Sequence, residues 1–196
     1  MARALTKPFV LWMAVLALLV GAGAIFRVRG AEADGKRLEV DVACDANTFA
    51  FEGPTNEEGG PAYGASFVVQ GVIYPEGTFE EHGSSSGLLP NGEPEFPELV
   101  IGKWTCKGWF IGDGIATQSG PFVVTTQIYD LDPGHPGAET LVSEGIELID
   151  PNVPFLRAVT GGTGQFKEVL GEVAQTSVGV NATGLFNFTF EFDLED

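Results

Sequence analysis

Near its carboxyl end the chain alternates with a period of two. Phe186, Phe188, Phe190, Phe192 and Leu194 are separated by Asn187, Thr189, Glu191 and Asp193. Successive side chains of a strand point to opposite faces, so this pattern predicts a strand with one buried and one wet face. Such a strand belongs to an antiparallel sheet. Comparable runs cover residues 38–51, 65–74, 99–111, 115–131, 139–149, 155–160 and 169–180. The run at 115–131 reads as one long strand or two broken ones, interrupted at Gly120-Pro121. In the run at 99–111, Trp104, Cys106 and Phe110 share one face, with Lys107 and Trp109 on the other. Turn chemistry separates the runs: Gly112-Asp113-Gly114 predicts a tight hairpin turn, and Asp132-Pro133-Gly134 another turn. Residues 75–97 predict a long loop. No run beyond the first thirty residues has helical periodicity. The expectation is an all-β fold of seven or eight short strands, a closed barrel rather than a sandwich, because closure leaves no exposed edge on a chain with fifteen Phe.

Charge narrows the partners. The chain carries −17 overall. From Asp34 onward six basic residues face 26 acidic ones, a net charge of −20. Nucleic acid and anionic membrane surfaces need a basic patch, so neither is an expected partner. The acids are scattered and match no EF-hand loop, and no residues have metal-ligand spacing. No cofactor or metal is expected.

The first 33 residues read as a targeting segment. Arg3 and Lys7 precede an apolar run at 8–26, and Ala31-Glu32-Ala33 follows Arg27 and Arg29. That order predicts a signal peptide cut after Ala33, leaving a single domain at 34–196. The alternative is an uncleaved anchor, since the apolar run approaches spanning length. The domain is therefore expected to be secreted or periplasmic, or else held at the outer face of a membrane, with no other membrane contact. In an oxidising compartment Cys44 and Cys106 could pair, although spacing leaves bonded and free forms open. His82 and His135 both lie in loops, so a Cys-His nucleophile is not expected.

The segment Arg157-Ala158-Val159-Thr160-Gly161-Gly162-Thr163-Gly164-Gln165-Phe166, continuing to Gly171-Glu172-Val173, carries the most specific pattern. It is not a phosphate-binding loop, because no Gly-Lys-Ser/Thr follows and a β-rich run stands where a helix is required. Gly161, Gly162 and Gly164 read as a backbone turn needing left-handed conformations. The segment resembles the glycine-rich signature of dirigent proteins and allene oxide cyclases. Gly112-Asp113-Gly114 with Gly120-Pro121-Phe122, and the closing Phe188-Thr189-Phe190-Glu191-Phe192, resemble the family in the same order. The resemblance implies an eight-stranded antiparallel barrel with a hydrophobic cavity, assembled as a homotrimer, whose members steer or cyclise reactive apolar small molecules. Dirigent proteins use paired aspartates and an arginine, for which Asp41, Asp45 and Arg157 are counterparts by residue type. The glutamate of the cyclases has no placeable counterpart, and their aromatic hydroxyl falls near Cys106.

Candidate polar groups in or beside strands are Asp41, Asp45, Tyr74, Tyr129, Glu144 and Arg157. A carboxylate inside a barrel could move a proton, and Arg157 could orient a carboxylate of a ligand or of the protein. The bland alternative for each is a solvated surface position. The expected function is an exported barrel that binds a hydrophobic small molecule and steers its cyclisation or isomerisation. The alternatives are a non-catalytic carrier or surface binding module on the same barrel, and a structural barrel with a filled core.

Overall fold

The computed structural model describes residues 36–195. The segment expected to act in targeting lies outside them. Eight strands follow in chain order: β1 (Lys36–Glu52), β2 (Ser66–Pro75), β3 (Gly102–Phe110), β4 (Pro121–Asp130), β5 (Thr140–Leu148), β6 (Phe155–Gly162), β7 (Leu170–Val180) and β8 (Phe186–Glu195). Each pairs antiparallel with the next, and β8 returns to β1, so the sheet is a closed barrel. Closure gives every strand an inner and an outer row. Val42 and Val40 of β1 stand opposite Phe188 and Phe190 of β8, and all four face inward.

The interior is divided by strand. β8, β1, β2 and β3 supply apolar inner rows, among them Phe188, Val42, Val69 and Trp104. β4 to β7 supply Thr125, Gln127, Ser143, Glu147, Arg157 and Gln175, all buried. Towards the end of the barrel that carries both described chain ends, Tyr129 packs edge-on against Phe190 and Phe192 at 5.1 and 4.9 Å between ring centres. Phe166 and Val169 join this dry packing from the β6–β7 connection.

Three loop expectations are corrected. The Gly112-Asp113-Gly114 segment is not a tight hairpin. It opens a longer connection with a 3-10 turn at Gly114–Ala116, and β4 begins only at Pro121. The loop after β2 contains one short helix, α1 (Thr78–His82), which the polar, glycine-flanked sequence does not reveal. It is also packed rather than loose. Phe79 and Leu88 are buried with Tyr74 and Ala43 against the outer face of β1 and β2. Within the glycine-rich segment, Gly161 and Gly162 complete β6 across a bulge opposite Val142 and Ser143. Thr163 Oγ1 accepts the Thr140 N–H at 3.0 Å and donates to Gly137 O at 2.9 Å, tying this turn to the β4–β5 connection.

Gly164 sits at φ +62°, and a Cβ there would run into the carbonyl oxygen of Ala138. Gly164→Ala should therefore lower stability by about 1–3 kcal/mol. Urea unfolding measures this, and an unchanged midpoint would mean that the turn has room to relax.

Candidate functional site

Parity along the strands decides which candidates reach the interior. Arg157 and Tyr129 do. Asp41, Asp45, Tyr74 and Glu144 do not, because they occupy the outward positions of β1, β2 and β5, alternating with Val40, Val42, Ile73 and Ser143. This corrects the expectation of an interior acid at those positions. Glu144 is exposed and accepts from Thr126 Oγ1 at 3.1 Å. Asp45 caps its own bulge by accepting the Asn47 N–H at 2.9 Å. Tyr74 donates its hydroxyl to Gly87 O at 2.6 Å beneath the long loop, and burial pushes its pKa up to about 12. Asp41 is 2 % exposed and accepts the Phe79 N–H of α1 at 3.0 Å.

Among the described residues the interior acid is Glu147, which no local pattern in the sequence sets apart. Its Oε1 accepts from Thr125 Oγ1 and from Gln127 Nε2 at 2.9 Å, and lies 3.6 Å from Cys106 Sγ. Its Oε2 accepts from Gln175 Nε2 at 3.0 Å. Arg157 Nη1 stands 3.6 Å from Oε1, with the two side chains essentially inaccessible to water. The rest of the guanidinium is held by the protein: Nε donates to Ser143 Oγ at 3.2 Å, and Nη2 donates to Thr125 O at 3.2 Å. Gly145 lies alongside this arginine, where an added Cβ would stand at ordinary contact distance from Arg157 Cβ and Cγ. Gln127 Nε2 also donates to Gln175 Oε1 at 3.0 Å, and Tyr129 donates to Gln127 Oε1. Desolvation drives the Tyr129 hydroxyl far above its ordinary pKa, so it stays protonated as a donor.

Above this network the barrel opens into a cavity of about 280 Å³. Phe49, Phe67, Phe110, Phe186 and Phe188 form its aromatic wall with Trp104. Ile115, Ile149 and Leu185, from the connections at one end of the barrel, belong to its lining and place the mouth there. Among the described residues Glu147 is the one charged member of the lining. The filled half of the barrel and this open half divide near Phe188 and Phe190 on β8.

Cys44 and Cys106 both line the cavity as free thiols, which corrects the disulfide alternative. They lie on β1 and β3, opposite Gly71 and Val69 of the intervening β2. Two strand spacings of roughly 9–10 Å separate them, beyond the reach of about 7 Å between Cα atoms that a disulfide allows. Burial, with Glu147 nearby as a second cause, pushes both thiol pKa values up, so neither is a thiolate nucleophile at neutral pH. Asn181 and Asn187, the acceptors of two glycosylation sequons, are buried and consumed in hydrogen bonds to Cys44 O and Ser84 O.

Two stability predictions follow from these placements. Glu147→Leu or Arg157→Met alone should cost about 3–5 kcal/mol, because each leaves an unpaired buried charge. The double substitution should cost less than either single change in a chemical-unfolding double-mutant cycle. Asp41 behaves differently: desolvation raises its folded pKa to about 6. The native state then holds this proton where the unfolded chain, with an ordinary value near about 3.9, has lost it. The contribution of Asp41 to stability is therefore full below about pH 4 and is lost as pH rises through about 6. Asp41→Asn should flatten that part of the stability–pH curve, and an unaltered curve would show that Asp41 does not titrate there.

No protein-family model matches the sequence, and no curated protein matches it. Among solved structures the chain is similar to the pterocarpan synthase dirigent protein GePTS1, with a TM-score of 0.56 and 14% identity over 85% of this chain and 87% of that one. It is similar to the pterocarpan synthase dirigent protein PsPTS1, with a TM-score of 0.55 and 16% identity over 84% and 96% of the two chains. It is also similar to pyocyanin demethylase, with a TM-score of 0.50 and 15% identity over 81% and 99%. At such identities the likeness is one of architecture, and the closed eight-stranded sheet agrees with it: the chain folds as a dirigent-like β-barrel.

Proposed function

We propose that the barrel binds a hydrophobic small molecule in its open half and steers that molecule's cyclisation or isomerisation. The observation that carries this reading is Glu147, one carboxylate in the lining of an otherwise apolar, aromatic cavity. An aromatic wall holds an apolar ligand in one folded shape, which removes much of the entropic barrier to ring closure. Glu147 then receives a proton from the reacting group and returns it to the product. Nothing is gained or lost overall, so the reaction consumes no cofactor. Arg157 acts through Glu147, holding its carboxylate in place and balancing its charge. A wholly apolar cavity would fit a passive carrier, and the carboxylate is what favours catalysis over that alternative.

The export expected from the first 33 residues belongs to the same proposal: the domain would meet its ligand outside the cytoplasm, free or tethered. A homotrimer is also proposed. It is supported by an exposed outer row in which Trp109 pairs with Val124 and Val124 with Ile146 across three strands. Apolar side chains clustered on an outer face mark contact surfaces.

Native mass spectrometry of the protein purified from its own host tests the function. The expected result is a retained apolar small molecule that is released on denaturation and lost from the Glu147→Gln variant. Ligand-free protein that also fails to bind neutral aromatic probes would overturn the reading.

A further inference from the structure

We infer that the cavity selects ligands whose polar end is a neutral O–H or N–H donor, and that it rejects anions. This rests on the cavity being a binding site, as proposed above, and adds the chemistry of the ligand's head.

The argument is a count of donors and acceptors at the cavity floor. A carboxylate oxygen has two acceptor directions. Glu147 Oε1 already takes Thr125 and Gln127, with Cys106 nearby, whereas Oε2 takes Gln175 alone. One acceptor direction is therefore left on the charged group of the lining. Among the described residues donors are weak or engaged in the same place: the Cys106 thiol is directed at Glu147, and the Cys44 thiol is a weak donor. Trp104 Nε1 is the one side-chain N–H among the lining residues, and it is directed at Gln127 Oε1 at 3.4 Å. The Arg157 guanidinium lies behind Glu147, fully buried and outside the lining. A ligand that donates finds a charged acceptor. A ligand that only accepts finds no donor stronger than the Cys44 thiol, and a carboxylate meets the Glu147 charge in a medium that screens it poorly.

The head need not be a cation. Arg157 already balances Glu147 across 3.6 Å, so a positively charged head would leave the floor with a net charge and no second carboxylate to offset it. Among the described residues Arg157 Nη1 has no hydrogen-bond partner and is held by the ion pair with Glu147. If the negative charge of Glu147 is removed, the guanidinium is left as an uncompensated buried cation. The same floor should then attract an anion.

The test compares naphthol, its methyl ether and naphthoate near neutral pH by isothermal titration. They share one flat apolar skeleton and differ in the head alone. Naphthol should bind at least about tenfold more tightly than the ether, the worth of a hydrogen bond to a charged acceptor, and naphthoate should not bind. In Glu147→Gln the order should reverse, with naphthoate gaining and naphthol losing affinity. Equal binding of naphthol and ether would overturn the inference while leaving a cavity that binds apolar molecules. Naphthoate binding tightest to the unaltered protein would overturn it and make Arg157 the recognising group. If none of the three binds, the binding reading itself fails. Should the variant not fold, the series on the unaltered protein still decides.

Discussion

The carboxylate of Glu147 and the guanidinium of Arg157 meet inside a closed barrel, where Arg157 is wholly buried and Glu147 nearly so. Taking both from solvent is costly, and their mutual attraction offsets that cost only when further hydrogen bonds complete the shell. Here the shell is drawn from four strands: Thr125 and Gln127 on β4, Ser143 on β5 beside Glu147, Arg157 on β6 and Gln175 on β7. The polar inner rows of these strands exist to serve one charge pair. The opposite wall, from β8 through β1 and β2 to β3, carries no comparable polar demand and can be wholly apolar.

That division explains why the barrel is filled at one end and open at the other. Tyr129, Phe190 and Phe192 interlock at the closed end, and the large rings exclude both solvent and ligand. Above them the network occupies one wall, and Phe188 and Phe186 on the other stand back from it around the cavity. This apolar space lies over a polar floor that keeps one open acceptor direction on Glu147, and water in it would need several partners that the aromatic wall does not offer. The outer surface serves a different purpose. Asp41 and Tyr74 anchor the long loop and α1 to the outside of β1 and β2, so their burial is structural and remote from the cavity.

The alternation of Phe186, Phe188, Phe190, Phe192 and Leu194 made the last strand legible, because period two is a local property of extended backbone. The inward set Trp104, Cys106 and Phe110 was legible for the same reason. The short helix α1 was not, since five residues carry no periodicity. The hairpin expected at Gly112-Asp113-Gly114 failed because glycine and aspartate permit a turn without fixing its length. Arg157 stood out as a rare basic residue in a strand. Glu147 did not, being one acid among the 27 of the chain, although its place three residues beyond Glu144 put the two on opposite faces of one strand.

Local pattern alone determined that this chain is all-β and that its strands have one apolar face. Those properties depend on neighbours in sequence. Tertiary structure alone decided which face of each strand became the interior, which acid met Arg157, and that Cys44 and Cys106 stay two strands apart. These depend on how the sheet closes and in what register. A shift of one residue would have exchanged Glu147 for Ile146 at the floor of the cavity.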